Sequence, residues 1–436
     1  MEKDKKINIF WFRRDLRLED NKGLYKALSS KYEVLPIFIF DSEILEGLPK
    51  NDARVTFIYE ILQSIRNILI EKHQRSMAIY HGSIIKVFKE LIKSYSINTV
   101  FTNHDYEPYA TQRDNEVCSF LNKNHIKFKT YKDQVIFEKK DIVKSDGKPY
   151  LVYTPYMKTW LKNLNFNTLK LSNTRDKLKN LINDNKLPNL SLSDMGFKKS
   201  NQKIEPYQIS SNLIKNYEET RNFPALNSTS KLGPHLRFGT ISIREIVKSS
   251  LLEKNKVFLK ELIWREFFMQ ILWHFPQTIQ KSFKPKYDRI KWRNNHEEFK
   301  AWCNGQTGYP LVDAGMRQLN KTGFMHNRVR MLVGSFLCKH LLIDWRWGEA
   351  YFAQKLHDYE MASNIGNWQW VAGCGVDAAP YFRIFNPTTQ LKKFDNNLIY
   401  VKKWAPDFQE ISYPKPIVEH KFARERCLKV YKDALY

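Results

Sequence analysis

The segment INIFWFRRDLRLEDNKGLYKALSS (Ile7–Ser30) sets the expectation for the fold. Its first six residues, Ile7–Phe12, form an apolar run of the length of a buried strand, and Asn21–Ser30 shows helical spacing. Val34–Phe40 repeats the strand pattern and ends at Asp41. A strand, a helix and a second strand in this order are typical of a parallel α/β sheet.

The alternation of strands and helices continues to about residue 135. Apolar residues at helical spacing come next, at Val55, Ile58, Tyr59, Leu62, Ile65 and Leu69. Three more strands are predicted at Met77–Tyr80, Thr99–Phe101 and Lys127–Tyr131. The sequence therefore predicts an N-terminal α/β domain over residues 1–135, with a doubly wound parallel sheet of five strands.

The rest of the chain has a different pattern. Residues 206–436 show helical spacing throughout, which predicts an all-α C-terminal domain. Residues 136–205 are rich in Lys, Asn, Ser and Asp, so we interpret them as a long interdomain connector on the surface. Disorder stays open only for residues 170–200, because Tyr150–Trp160 carries several aromatic side chains.

Several classes of site are disfavoured by the sequence. The loop Arg13–Asn21 lacks the GxGxxG pattern of a nicotinamide dinucleotide site. The five cysteines are dispersed without a CxxC pair, which argues against a disulfide framework, a zinc site or an iron–sulfur cluster. No signal peptide or membrane-spanning run is evident, so we expect a cytoplasmic protein.

The net charge points to a polyanionic partner. The chain has 71 Lys and Arg residues against 46 Asp and Glu, a formal charge of +25. A field of this size is typical of nucleic acid binding. The alternative is a Lys- and Asn-rich composition inherited from an AT-rich genome, which would scatter the charge without a function.

Five sequence blocks resemble the photolyase/cryptochrome family. They are WFRRDLRLEDN (Trp11–Asn21), ELIWREFF (Glu261–Phe268), TGYPLVDAGMRQL (Thr307–Leu319), GFMHNRVRM (Gly323–Met331) and the long block Leu341–Gln390. The resemblance spans nearly the whole chain and is closest to class I cyclobutane pyrimidine dimer photolyases. It implies a C-terminal domain that binds one non-covalent FAD and DNA. It also implies light-dependent electron transfer from reduced FAD to a pyrimidine dimer.

The resemblance assigns a set of FAD-binding residues. They are Tyr217, Thr229, Ser230, Lys231, Leu232, Gly233, Arg330, Asp358, Glu360 and Asn364. Hydroxyls and free amides at a helix start, as in Thr229–Gly233, suit a diphosphate, although an ordinary N-cap has the same residues. The Arg330–Asp358 pair would favour the anionic reduced flavin, and a structural ion pair is the alternative. Asn364 matches the position that faces flavin N5, where Asn is typical of repair enzymes.

The resemblance also assigns a substrate pocket and DNA contacts. The pocket residues are Glu261, Trp264, Asn327, Met331 and Trp370. A dimer is a largely apolar pair of rings with carbonyls on one edge, which suits aromatic walls, a thioether and hydrogen-bond donors, with Glu261 donating if it is protonated. Three further arginines, Arg265, Arg328 and Arg383, are predicted to bind the DNA backbone.

Three tryptophans, Trp368, Trp345 and Trp292, align with the electron relay of the family. A spaced chain of indoles can carry a hole from the flavin to solvent, whereas ordinary core packing is the usual role of a large aromatic residue. Because spacing along the sequence cannot demonstrate a relay, this assignment depends on the resemblance.

The resemblance therefore implies a deoxyribodipyrimidine photo-lyase whose partner is DNA containing pyrimidine dimers. We expect a monomer without a metal ion. The main alternative is a cryptochrome-type blue-light receptor that signals to a protein; a flavin oxidoreductase or a DNA-binding regulator is less favoured. A second antenna chromophore is left open, because His104–Ala110 does not reproduce the expected folate-binding acid.

Overall fold

Two compact units make up the protein in a computed structural model that describes residues 5–436. The first unit comprises residues 5–138, Asn163–Glu205 and Leu232–Ser249. The second comprises Lys139–Lys162, Pro206–Lys231 and Ser250–Tyr436. The two units alternate along the chain, and the domain boundaries drawn from the sequence at residues 135 and 205 stay predictions.

The first unit is built on a parallel sheet. Its strands, within residues 5–436, are β1 (Lys6–Phe12), β2 (Val34–Asp41), β3 (Ala78–Gly82), β4 (Ser96–Asn103) and β5 (Lys127–Tyr131). Their order is β3-β2-β1-β4-β5, and every pair is parallel. Strands β1 and β2 are buried almost throughout, which explains their continuous apolar runs. The predicted doubly wound five-stranded sheet is confirmed.

Helices flank and follow this sheet in the first unit. They are α1 (Lys22–Leu28), α2 (Ser42–Leu45), α3 (Ala53–His73), α4 (Ile84–Ser94) and α5 (Pro108–Lys123), followed by α8 (Leu232–Phe238) and most of α9 (Ile243–Leu252). The Asn21 side chain caps α1 by accepting a hydrogen bond from the Leu24 amide at 3.1 Å. Helix α1 therefore begins directly after Asn21, the residue at which helical spacing begins in the sequence.

The charged residues of the loop after β1 form a buried network in the first unit. The Arg244 guanidinium donates to the Asp20 and Asp133 carboxylates, at 2.7 Å in each case. Arg17 adds a second ion pair to Asp133 at 2.5 Å. Buried charges are tolerated only when they are paired in this way. The RRDLRLED phrase therefore has a structural role in this unit.

The connector is structured. It contains α6 (Tyr153–Asn163) and short 3₁₀ turns at Arg175–Asn180 and Ser193–Met195. Leu181 and Ile182 are almost fully buried, and the Ile182 amide donates to the Val34 carbonyl at 3.0 Å. The disorder left open for residues 170–200 is therefore wrong, because scattered apolar side chains in this polar stretch pack into the first unit.

The second unit is helical, as predicted. Its helices are α6, α7 (Ser211–Thr220), α10 (Val257–His274), α11 (His296–Asn304), α12 (Pro310–Thr322), α13 (Asn327–Ser335), α14 (Trp345–Lys355), α15 (Met361–Ala372), α16 (Pro387–Phe394), α17 (Ile399–Trp404) and α18 (His420–Leu435), with a π-helical turn at Phe336–His340. No helix in residues 5–436 has both the length and the apolar character needed to cross a lipid bilayer.

Two glycines let other helices approach α15 closely. A Cβ atom at Gly348 on α14 would lie 2.1 Å from the Trp368 ring, and one at Gly366 on α15 would lie 2.2 Å from the Phe268 ring on α10. Any larger residue would push these helices apart. Helix α15 is therefore held tightly against α10 and α14, and the residues on its exposed side have a fixed position.

Candidate active site

The second unit contains an open cavity of about 100 Å³ between α13, the segment after α14, and α15. Eight residues assigned from separate parts of the sequence line it: Asn327, Arg330, Met331, Asp358, Glu360, Asn364, Trp368 and Trp370. Four of them were assigned to FAD binding, three to the substrate pocket, and Trp368 to the electron relay. The structure thus brings part of each predicted set to one cavity, whereas Tyr217, Thr229–Gly233, Glu261 and Trp264 are not among its lining residues.

Helix α13 supplies three of these residues because of how it begins. The Nδ1 atom of His326 accepts a hydrogen bond from the Arg328 amide at 3.2 Å and so caps the helix. Asn327, Arg330 and Met331 then lie at i, i+3 and i+4 and share one helix face. Gly334 continues this face without a side chain, which leaves room for the cavity.

An ion pair lies at the cavity wall. Arg330 Nη2 donates to Asp358 Oδ2 at 2.8 Å, and Arg330 Nε donates to the Met325 carbonyl at 2.8 Å. The other carboxylate oxygen, Asp358 Oδ1, is buried and has no hydrogen-bond partner within residues 5–436. A buried acceptor without a partner is costly, so a ligand with an N–H or O–H group is expected here. A flavin ring or its ribityl chain offers such donors.

Asn364 is held by a residue that was not predicted from the sequence. Its Nδ2 atom donates to Glu349 Oε1 at 2.9 Å and to the Glu349 carbonyl at 3.2 Å. Burial raises the pKa of Glu349, and the hydrogen bonds from Asn364 and Tyr359 partly offset this shift. Because the amide nitrogen is directed to Glu349, the Asn364 carbonyl oxygen is left for a ligand in the cavity.

Glu360 has a local structural task. Its carboxylate accepts hydrogen bonds from the Ser363 amide at 3.1 Å and the Ser363 hydroxyl at 3.0 Å, which caps α15. A carboxylate at this end also suits the positive end of the helix dipole. Glu360 therefore sets the start of the helix that carries Asn364 and Trp368.

The segment predicted to bind a diphosphate precedes α8. Thr229, Ser230 and Lys231 come before the helix, and Leu232 and Gly233 form its first turn. Lys231 has a left-handed backbone with φ of 54°, and its ammonium lies 3.5 Å above the Phe324 ring centroid. Tyr217 lies on α7 with its ring edge-on to Phe258. The diphosphate contacts of these residues stay predictions.

Two of the predicted substrate residues lie on α10. Glu261 forms an ion pair with Arg221, with 2.6 Å between Oε1 and Nη1, so this oxygen accepts a hydrogen bond in the structure. The Trp264 ring stacks on Tyr153 with 3.7 Å between centroids. Arg265 follows Trp264 on the same helix. Donation by a protonated Glu261 would have to use its other oxygen and stays a prediction.

Three arginines of the second unit, Arg221, Arg328 and Arg383, are close enough for their charges to affect the pKa of Arg328. Burial lowers the pKa of Arg328, and the charges of Arg221 and Arg383 lower it further. The Arg328 guanidinium donates to Asn222 Oδ1 at 2.5 Å and lies 4.4 Å from the Phe394 ring centroid. Arg383 is exposed and lies 5.8 Å from the Trp370 ring centroid. This group of cations is suited to phosphate.

The three relay tryptophans occupy different surroundings. Trp368 lines the cavity and packs against Phe352 and Trp302, with centroid distances of 5.0 and 6.2 Å. Trp345 is buried under the Arg346 guanidinium at 4.7 Å, and Trp292 is edge-on to a tyrosine of α18. In the described part of the chain none of the three rings is in direct contact with another. The relay stays a prediction.

Arg221, Asn222 and Glu349 are the partners that sequence analysis missed. Each is joined to a predicted residue by a side-chain contact between distant parts of the chain or between neighbouring helices. No local motif marks such a pairing. Charge complementarity was the one property of the sequence that could have suggested these pairs. Because the chain has 71 basic and 46 acidic residues, this property could not single out particular partners.

His326 gives the site a pH-dependent element. Burial lowers its pKa to about 4, and the nearby charges of Lys231, Arg330, Arg328 and Arg221 contribute. The unfolded chain therefore binds a proton below the ordinary pKa of about 6.5, whereas the folded chain does not until about pH 4.

We expect stability to fall as pH drops from 6.5 towards 4, and His326→Asn should reduce this fall by about 2 kcal/mol at pH 5. Asn keeps the helix cap. Urea unfolding of both proteins at pH 7 and pH 5 measures the difference. Equal pH dependence in the two proteins would show that His326 is not the group involved. His340, whose pKa burial lowers to about 3, remains in both and contributes equally.

Comparison with known proteins agrees with this architecture. The family model described as DNA photolyase matches residues 8–175, and the model described as FAD binding domain of DNA photolyase matches residues 258–412. Deoxyribodipyrimidine photo-lyases from Agrobacterium fabrum and Escherichia coli are each 34% identical. The alignments cover 97% of both chains in the first case and 98% of both in the second.

Solved structures give the same result. A bacterial class III photolyase from Agrobacterium tumefaciens has a TM-score of 0.88 at 33% identity, covering 99% of this chain and 98% of the other. An archaeal photolyase from Sulfolobus tokodaii with two FAD molecules has a TM-score of 0.83 at 33% identity, covering 98% and 100%. A Synechocystis cryptochrome has a TM-score of 0.84 at 25% identity, covering 99% and 100%.

The fold and the family models define a flavin-binding protein with a parallel α/β unit and a helical unit. The chain belongs to the photolyase/cryptochrome family. The predicted enzyme class, deoxyribodipyrimidine photo-lyase, is confirmed at the level of the family by the named relatives. The more specific resemblance to class I enzymes stays a prediction.

Proposed function

We propose that this protein repairs DNA by light-dependent splitting of cyclobutane pyrimidine dimers. One observation carries the proposal. Arg330, Asp358 and Asn364, which were assigned to FAD binding, line one cavity. Met331 and Trp370, which were assigned to the substrate pocket, line the same cavity. A donor and an acceptor of an electron must be close for transfer between them, and a shared cavity provides this.

The residues around the cavity suit reduced FAD. When bound, FAD in its reduced form would supply the light-driven electron and accept it again after the dimer opens. Arg330 places a fixed cation at the wall, which favours an anionic ligand ring. Asp358 Oδ1 would accept a hydrogen bond from the ligand, and the Asn364 carbonyl offers a second acceptor.

The neighbouring wall suits a dimer that has been flipped out of the duplex. Trp370 and Met331 provide an aromatic surface and an adaptable thioether. The Asn327 amide can donate to a pyrimidine carbonyl as negative charge grows there, a role of the oxyanion type. Flipping costs a few kcal/mol and less for a damaged base, and packing on these side chains offsets the cost.

Binding should depend strongly on salt if the cations of the second unit contact phosphate. Each neutralised phosphate contributes about −0.9 to the slope of log affinity against log salt for duplex DNA. We expect Arg328→Ala and Arg383→Ala each to weaken binding and to reduce this slope by about 0.9. Lys429→Ala, which removes an exposed charge on α18, serves as the control. Fluorescence anisotropy over a salt series measures the slopes, and unchanged slopes in both arginine variants would contradict the assignment.

Trp292→Phe should abolish photoreduction of oxidised FAD but leave repair by chemically reduced protein unchanged. The predicted relay is needed only to bring electrons to the flavin, whereas repair needs only transfer between the flavin and the dimer. Bleaching of the oxidised-flavin absorbance under blue light measures the first activity. Trp404→Phe, on α17, is the matched control. Loss of repair in reduced Trp292→Phe would show that Trp292 has a structural role.

The dimer type is tested directly with two damaged substrates in parallel reactions. Reduced protein is illuminated with an oligonucleotide that carries a cyclobutane thymine dimer, and in parallel with one that carries a (6-4) photoproduct, with dark controls. Recovery of absorbance near the thymine band is expected only for the cyclobutane dimer under light. Repair of the (6-4) product instead, or recovery in the dark, would overturn the proposal.

A blue-light receptor is the second candidate, because the Synechocystis cryptochrome shares the fold. Such a receptor would keep the flavin and fail the splitting test above. A second antenna chromophore also stays open. The Sulfolobus relative contains two FAD molecules.

A further inference from the structure

The aromatic stretch Tyr150–Trp160 of the connector is not used by the proposed function. In the second unit, residues Tyr153–Trp160 belong to α6, and aromatic side chains of α6 contact α10. The Trp160 indole donates to Glu266 Oε1 at 2.5 Å, and the Tyr156 ring lies 5.3 Å from the Phe267 ring. Helix α6 therefore supports the helix that carries Glu261 and Trp264.

Tyr153, at the start of α6, contacts the predicted substrate wall directly. Its ring is nearly parallel to that of Trp264, with 3.7 Å between centroids and 7° between planes. Its hydroxyl donates to the Lys260 carbonyl at 2.7 Å, one turn before Trp264 on α10. Tyr153 is only 7% exposed, whereas Trp264 is partly exposed. The tyrosine ring is thus fixed by its own helix and by α10, and it covers one face of the indole.

The backbone of Tyr153 contacts the segment that follows α15. Its amide donates to Asp377 Oδ2 at 3.0 Å. Asp377 lies in the segment between α15 and α16 that also contains Arg383, and α15 carries Trp370 near its end. Tyr153 therefore contacts α10, which carries Trp264, and also the segment that follows α15, which carries Trp370.

We infer that Tyr153 is a positioning residue that holds the Trp264 ring ready for the dimer. The inference rests on the proposed function and adds a determinant of substrate selectivity. A partly exposed indole without support would lose side-chain freedom when it packs on a flipped base, and this loss would weaken binding. The stacked tyrosine, together with Phe268, whose ring centroid lies 5.5 Å from that of Trp264, removes that freedom beforehand and leaves the exposed part of the indole for the substrate.

The test compares affinity for a cyclobutane-dimer oligonucleotide with affinity for its undamaged counterpart in the FAD-loaded protein. We expect Tyr153→Leu to lower this ratio by roughly three- to tenfold, as for the loss of one aromatic pair. Tyr153→Phe, which keeps the stacked ring, should retain most of the ratio. Tyr156→Leu is the control, because it disturbs α6 packing without touching Trp264. FAD content and melting temperature are measured for every variant.

A double-mutant comparison separates positioning from general stability. If Tyr153 acts through Trp264, Tyr153→Leu should have little further effect in a Trp264→Ala background. Independent, multiplying effects would overturn the inference, as would an equal loss of selectivity in Tyr156→Leu. If Tyr153→Leu does not fold, Tyr153→Met replaces it, and a wild-type ratio in that variant counts against the inference. A wild type without any preference for dimer DNA would contradict the proposed function itself.

Discussion

Arg330→Leu should weaken FAD binding by about 2 to 4 kcal/mol, which corresponds to roughly 30- to 1000-fold in affinity. The expected loss is large because the substitution removes the fixed cation that favours an anionic flavin ring, and because it also leaves the Asp358 carboxylate without its ion-pair partner in a partly buried site. In the wild type the two groups are 2.8 Å apart, with side-chain exposures of 24% and 17%. Titration of the apoprotein with FAD, followed by flavin fluorescence, measures the affinity.

The double variant Arg330→Leu/Asp358→Asn distinguishes an unpaired charge from a lost contact with the ligand. If the unpaired carboxylate causes most of the loss, replacing it with a neutral amide should recover part of the stability of the apoprotein. FAD affinity should stay low, because the cation that favours an anionic ring is still missing. FAD affinity like that of the wild type in Arg330→Leu would place the flavin elsewhere.

Trp264→Ala should weaken binding to dimer DNA by about 1 to 3 kcal/mol, roughly 5- to 150-fold, and spare undamaged DNA. Only the flipped dimer would reach this ring, whereas undamaged duplex would be held by phosphate contacts. Anisotropy titrations with both oligonucleotides measure the effect. Trp273→Ala, on the same helix α10, is the matched control. Equal binding of both DNAs by Trp264→Ala, with normal repair, would put the substrate pocket in another place.

Glu261→Ala is expected to have a different effect from Trp264→Ala. Glu261→Ala should bind dimer DNA almost normally but convert a smaller share of absorbed photons into repair, because the protonated Glu261 carboxyl group is assigned to donate a hydrogen bond to a dimer carbonyl. The structure adds a second effect: Arg221 loses its partner at 2.6 Å and becomes available to phosphate. Stronger binding to both DNAs in Glu261→Ala would therefore reflect Arg221. A change in repair yield at saturating DNA isolates the role of the carboxylate.

The sheet was predictable from the sequence where strands are strongly apolar. β1 and β2 were predicted within a residue at either end because both faces are buried, and β5 has the predicted bounds. β4 was predicted as Thr99–Phe101 but extends over Ser96–Asn103. Polar residues such as Asn98 and Asn103 concealed its ends, although Asn103 is buried and hydrogen-bonded. Tertiary contacts here outweigh local propensity.

The candidate site was predictable only through whole motifs. The blocks GFMHNRVRM and Leu341–Gln390 supplied the eight cavity residues, since the resemblance assigned them together. Their partners were not predictable: Glu349 supports Asn364, and Asn222 holds Arg328 from 106 residues away. Tyr153 stood in a connector that showed weak periodicity. Its contact with Trp264 depends on how α6 packs on α10, which periodicity does not report.

The central claim is that the light-driven electron passes to the dimer and comes back, so that repair needs no net reductant. Multiple turnover under anaerobic conditions tests this most directly. Reduced protein is mixed with a large excess of dimer oligonucleotide and illuminated without added reductant, and thymine recovery and flavin absorbance are followed together. We predict many dimers split per bound FAD, with the reduced-flavin spectrum unchanged at the end. Splitting that stops at one dimer per FAD, with the flavin oxidised, would contradict the account.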